Sequence, residues 1–244
     1  MKSNYDVIVI DDEQVIIDSV RKIAGSENYT VDSATSASSA LEKIEKTKYS
    51  LIICDIMMPE IDGFEFLEIL NRKKIDTPVI MTTGYTTVEN AVNSLSKGAL
   101  GFLPKPFTID ELLSVIFRGL RFSEIRSSMQ NENQSSLTFV PCPSKFMRLG
   151  YSSWMNLEND GTVLFGATDL YFKTIEHIKK INFYEIDEEV TQGNIGIKFE
   201  TSDGLNHHLL CPVSGRIIEK NNELQDNINI LEKDPYFKGW LYRI

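Results

Sequence analysis

The 244-residue chain has little cysteine: Cys54, Cys142 and Cys211 are scattered and odd in number. That excludes a disulfide framework and points to a reducing, cytoplasmic setting. No uncharged apolar run approaches the roughly 20 residues of a membrane span, so no membrane association is expected. The start, MKSNYDVIVIDDEQ, meets acidic residues too early to contain the apolar core and cleavage site of a secretory signal. A basic surplus is also missing. The net charge is −10; residues 1–124 hold 13 Lys/Arg against 19 Asp/Glu, and residues 139–244 hold 11 against 15. Neither half offers the cationic face that a phosphate backbone attracts, so no nucleic-acid partner is expected.

What the chain does have is 42% hydrophobic and 25% charged residues, the balance of a soluble globular protein large enough for two cores. In the first half, apolar runs at 6–11, 50–55, 78–84 and 101–105, and a weaker one at 29–34, alternate with amphipathic stretches. The latter cover Val15–Ala24, Ser38–Lys46, Phe64–Lys73, Val88–Lys97 and Ile109–Phe122. Five strand-then-helix units predict an α/β domain over 1–124, a parallel sheet covered on both faces. The Ser-, Asn- and Gln-rich segment 125–138 reads as a polar linker, helical at its start. Beyond 139, β-like runs at 162–168, 178–186, 195–200, 207–215 and 215–221 are separated by NDG, TQGN and SDG turns, predicting a small, mainly antiparallel β domain.

In an open parallel sheet, function gathers beyond the carboxyl ends of the strands. Those ends supply Asp11–Asp12, Asp55, Thr83 and Lys105. Clustered carboxylates repel one another and gain most by holding a hard divalent cation such as Mg²⁺. One of them can then attack phosphorus, with a hydroxyl and an ammonium on the transferred oxygens.

The motifs VIVIDDE, IICDIMMPEIDGFEFL, VIMTTGY and GALGFLPKPF resemble the receiver domain of two-component response regulators. The resemblance implies a doubly wound, flavodoxin-like (βα)5 fold with Asp55 as phosphoacceptor. It implies a magnesium site of Asp11, Asp12, Asp55 and the carbonyl of Met57, with Thr83 and Lys105 on the phosphoryl group. Phe102 would be the aromatic switch, Pro59 and Gly63 would shape the turn after Asp55, and Lys105–Pro106 would be cis. The partner implied is a sensor histidine kinase, and a homodimer through the fourth helix, fifth strand and fifth helix is compatible with the family. The domain would accept and slowly release phosphoryl and would not otherwise be an enzyme. Cys54 reads as a small buried residue.

The second half, through FMRLGYSSWMNLENDGTVLFGATDL, CPVSGRIIEKNNEL and INILEKDPYFKGWLYRI, resembles the H protein of the glycine cleavage system, a lipoyl-type β barrel-sandwich. In that family a lipoyl-bearing lysine sits on a hairpin tip eight residues before the proline of PVSG. Here that proline is Pro212 and the matching residue is Gly204, which has no amine, so no lipoate is expected. Asp203–Gly204 suits a type I′ turn. Lys198 faces solvent on its strand and Lys220 lies beyond the PVSG turn. His207 and His208 point to opposite faces and cannot share one ion, and Cys211 adds too few ligands for zinc. Trp154 and Trp240 read as core or cleft aromatics, and no role is assigned to His177.

The expectation is therefore a phosphorelay response regulator signalling through a non-lipoylated, H-protein-like interaction domain whose protein partner the sequence does not name. The alternative is a lipoyl carrier or glycine-cleavage-related protein under phosphorylation control, against which Gly204 stands. A DNA-binding output is disfavoured by the acidic, β-rich second half. An H-like scaffold still docking lipoylation or glycine-cleavage enzymes is a further option.

Overall fold

The computed structural model describes residues 4–130 and 139–244. Of these, one compact unit takes 4–86 and 97–130, and the other takes 87–96 and 139–244.

The first half runs β1 (Asn4–Ile10), α1 (Gln14–Ser26), β2 (Val31–Ala34), α2 (Ala37–Lys46), β3 (Lys48–Asp55), α3 (Gly63–Arg72), β4 (Val79–Thr83), α4 (Val88–Ser96), β5 (Gly101–Pro104) and α5 (Ile109–Gln130). The sheet order is β2-β1-β3-β4-β5, with every pair parallel. The expected doubly wound, flavodoxin-like fold is thus the one observed. VIVI and LIIC form its centre: Ile8, Ile10, Leu51 and Ile52 are fully buried, and cutting any of them to alanine costs about 2–5 kcal/mol. Helix starts follow local capping. Ser36 accepts a hydrogen bond from Ser39 N ahead of α2, and Asp62 accepts one from Glu65 N ahead of α3. Helix α5 runs on to Gln130, through the start of the 125–138 segment that was expected to be helical there, and Ile125 is still buried (1% exposed). The rest of the predicted linker, 131–138, lies outside the described residues.

The second half is mostly short strands. They are β6 (Met147–Leu149), β7 (Ser153–Leu157), β8 (Val163–Ala167), β9 (Ile178–Asn182), β10 (Glu189–Val190), β11 (Ile195–Thr201), β12 (Asn206–Leu210), β13 (Gly215–Arg216), β14 (Glu219–Lys220) and β15 (Trp240–Arg243). Short helices α6 (Asp169–Lys173), α7 (Glu223–Asp226) and α8 (Ile230–Lys233) interrupt them. Three sheets result, ordered β14-β15-β8-β7-β6, β12-β11-β9 and β10-β13, around a core that includes Phe165, Tyr171, Phe199, Leu209 and Tyr242. This is the mainly β, barrel-sandwich architecture expected. The run 207–215 was read as one strand, yet β12 stops at Leu210. Pro212 has no N–H to donate, and Cys211 N turns aside to Asn194 O.

Cys54 and Cys211 are buried free thiols and Cys142 is half-buried. Among the described residues, no helix is long and apolar enough to cross a membrane.

Candidate functional site

Each functional side chain of the first half stands at the carboxyl end of a strand. Asp11 follows β1, and its N–H donates to Ala34 O at the end of β2 (3.1 Å). Asp55 closes β3 and Thr83 closes β4; both are buried. Lys105 follows β5, its N–H donating to Thr83 O (2.8 Å), and its bond to Pro106 is cis.

The turn after Asp55 is set by close packing. A Cβ at Gly63 would lie 2.3 Å from the Asp55 carbonyl oxygen and 2.8 Å from Ile56 Cα, so only glycine fits. Gly63 N donates to Ile56 O (2.9 Å), and Met57 N donates to Asp55 Oδ2 (3.1 Å), orienting the carboxylate.

Lys105 Nζ lies 2.6 Å from Asp11 Oδ2 and 3.0 Å from Asp55 Oδ1, with Glu13 Oε1 at 3.7 Å. The Asp55 contact is an ion pair off the line of a well-formed hydrogen bond: Asp55 Oδ1 is buried with no hydrogen-bond partner among the described residues. Burial raises the Asp11 carboxyl above its ordinary value, and the Lys105 ammonium opposes this without cancelling it. Burial pulls Lys105 down, but Asp11 and Asp55 more than offset it and hold the ammonium above the ordinary lysine value.

Asp11, Asp12 and Asp55 each offer a carboxylate oxygen within 4.8 Å of the others, a group that can hold a metal ion. Three hard oxygen donors, among them the buried Asp55 carboxylate beside Lys105, suit a divalent cation of the magnesium type. Thr83 Oγ1 accepts Tyr85 N (3.0 Å). Phe102 is half-buried and packs against the core on the side of β1, β3 and α3. Glu13, whose carboxylate completes the acidic surroundings of Lys105, had no role in the sequence reading. Its signal was the third acid of the DDE run.

In the second half, Gly204 sits on the tip of the β11–β12 hairpin. Gly204 N donates to Thr201 O (3.1 Å) and Thr201 N to Leu205 O (3.0 Å). Gly204 has φ +86°, whereas Asp203 is outside the left-handed region. The type I′ expectation, which needs positive φ at both central residues, is therefore corrected to a three-residue loop ending in a left-handed glycine. The Asp203 carboxylate explains the difference, since its Oδ1 accepts Thr201 Oγ1 (2.5 Å) and Leu205 N (3.1 Å) and locks the turn. His207 is fully buried beside Phe199, while His208 pairs with exposed Lys198, so the two histidines do face opposite ways.

Two family models match the chain, the response regulator receiver domain over residues 7–117 and the glycine cleavage H-protein over 147–244. Among curated relatives, the nitrogen assimilation regulatory protein NtrX of Azorhizobium caulinodans is 33% identical, over 53% of this chain and 29% of its own length. Response regulator MprA of Mycobacterium ulcerans is 34% identical, over 44% of this chain and 47% of its own length. The chain thus spans about half or less of these relatives. Among solved structures, NtrX from Brucella abortus is 30% identical with a TM-score of 0.50, covering 56% of this chain and 31% of that one. The receiver of a LuxO-type repressor from Vibrio parahaemolyticus is 26% identical, also with a TM-score of 0.50, covering 54% and 100%. The chain is a fusion of a response regulator receiver domain with a glycine cleavage H-protein domain.

Proposed function

We propose that the protein is the response regulator of a two-component phosphorelay, with Asp55 as phosphoacceptor, working in the cytoplasm. The observation that carries this reading is the buried Asp55 carboxylate at the end of β3, clustered with those of Asp11 and Asp12 and paired with the Lys105 ammonium at 3.0 Å.

In the proposed reaction an Asp55 carboxylate oxygen attacks the phosphorus of a phosphohistidine on a partner kinase. A P–O bond forms as the P–N bond breaks, and the imidazole leaves with the electron pair and picks up a proton. Lys105 moves its ammonium from the carboxylates to a phosphoryl oxygen, and the Thr83 hydroxyl donates to another. A magnesium ion, held by Asp11, Asp12, Asp55 and the Met57 carbonyl, would offset the charge of the phosphoryl oxygens. Phe102 and Thr83 are the coupled parts whose rearrangement reports the phosphorylated state. The domain releases phosphoryl to water and has no other enzymatic task in this reading.

The second half acts as a protein-interaction module without lipoate. The residue at the lipoyl position is Gly204, and its φ of +86° makes a side chain there strained. Two of the matched relatives are named as transcriptional regulators. For this chain the acidic second half supports a protein partner rather than DNA.

The test is intact mass with acetyl phosphate and magnesium, supplemented by fluorine spectroscopy with beryllofluoride. One phosphoryl adduct is expected in the native protein and none in Asp55→Asn. An unaltered native protein overturns the reading. A lipoyl adduct on protein from a lipoylation-competent host overturns the account of the second half.

A further inference from the structure

The matched H-protein region starts at residue 147, yet the second unit begins earlier. Residues 139–146 lie outside that match and are fastened to it by buried groups. Val140 is gripped by its peptide alone. Its N–H donates to Asp169 Oδ2 (2.6 Å), and its carbonyl accepts the Tyr236 hydroxyl (2.9 Å). Its side chain is left 52% exposed. Asp169 and Tyr236 are 1% and 4% exposed, and they hold each other through Asp169 N donating to Tyr236 Oη (3.2 Å). At the other end of the segment, Phe146 stacks on buried Trp154 (centroids 4.9 Å apart, planes at 27°) and tilts against Phe237 at 5.9 Å. Pro141 and Pro143 stiffen the stretch between the two attachments.

Freeing Val140 would leave the buried Asp169 carboxylate without its peptide donor; among the described residues Lys173 Nζ, at 3.5 Å, would remain beside it. The cost of leaving that buried carboxylate unsatisfied favours the clamped arrangement. Along the chain the arm follows α5 after residues 131–138.

We propose that residues 139–146 form an anchoring arm, clamped by Asp169 and Tyr236 and seated by Phe146, through which a change of state in the receiver is handed along the chain to the second unit. The hand-over rests on the phosphoacceptor reading above; the clamp does not.

Amide hydrogen exchange on the full-length protein, resolved by residue, tests both. The Val140 amide is expected to be protected in the native protein and to lose about tenfold of that protection in Asp169→Ala, with a smaller loss in Tyr236→Phe. The amides of β11 serve as the folding control and stay protected. If Asp169→Ala unfolds the unit, Tyr236→Phe, which keeps the ring, decides. An unprotected Val140 amide in the native protein, or one indifferent to the substitutions, overturns the clamp. Beryllofluoride with magnesium is then expected to change Val140 protection in the native protein and not in Asp55→Asn. If fluorine spectroscopy shows the adduct while the arm is unmoved, the hand-over is overturned and the phosphoacceptor reading stands. If no adduct forms, both fall together.

Discussion

Gly63 and Lys105 show what single residues contribute to the acidic pocket. With the Asp55 carbonyl 2.3 Å from where a Cβ would be, Gly63→Ala must push β3 and α3 apart. A loss of about 1–3 kcal/mol is expected, read as a lower urea midpoint together with slower phosphoryl uptake from acetyl phosphate. Lys105→Met leaves Asp11 and Asp55 facing each other without their cation, so magnesium should raise the melting temperature of the variant more than that of the native protein, in parallel thermal scans. Tyr236 supplies a pH dependence. Burial pushes its hydroxyl up to about 12 from an ordinary 10.0. The folded state therefore keeps a proton that the unfolded chain gives up above pH 10. The stability this confers is complete below pH 10 and is lost as pH rises towards 12, by roughly 2 kcal/mol. Urea midpoints at pH 9.5 and 11.5 should fall less in Tyr236→Phe than in the native protein.

Elements differ in how much of them a sequence reveals. The five strands and helices of the first half were legible because VIVI and LIIC are continuous apolar runs and the helices carry a clear 3.6-residue period. The acid-acid-hydroxyl-lysine order at the strand ends was equally open to reading. Strands β10, β13 and β14 are two residues each and exist only because a partner lies alongside, so no local pattern announces them. The 139–146 arm was invisible for a similar reason, since Asp169 and Tyr236 lie 29 and 96 residues from Val140. The hairpin tip was half legible: Asp-Gly marked a turn, but its type depended on where the Asp203 carboxylate settled. Gly204→Lys places a side chain at φ +86° and should cost about 1 kcal/mol, measured as reduced amide protection across β11 and β12 with the rest of the unit intact.

For the whole molecule, the net charge of −10 is spread over both halves, and generic duplex DNA at low salt is expected to give no mobility shift at micromolar protein. The three thiols differ in a way that bears on handling. Cys54 and Cys211 are completely buried, and burial raises both thiols, that of Cys211 to about 11, whereas Cys142 is only half-buried. A maleimide offered to native protein at neutral pH should therefore couple once, at Cys142, and three times after denaturant. A fluorophore or spin probe can be placed on the natural chain with no engineered cysteine, and the labelling ratio doubles as a gauge of intactness.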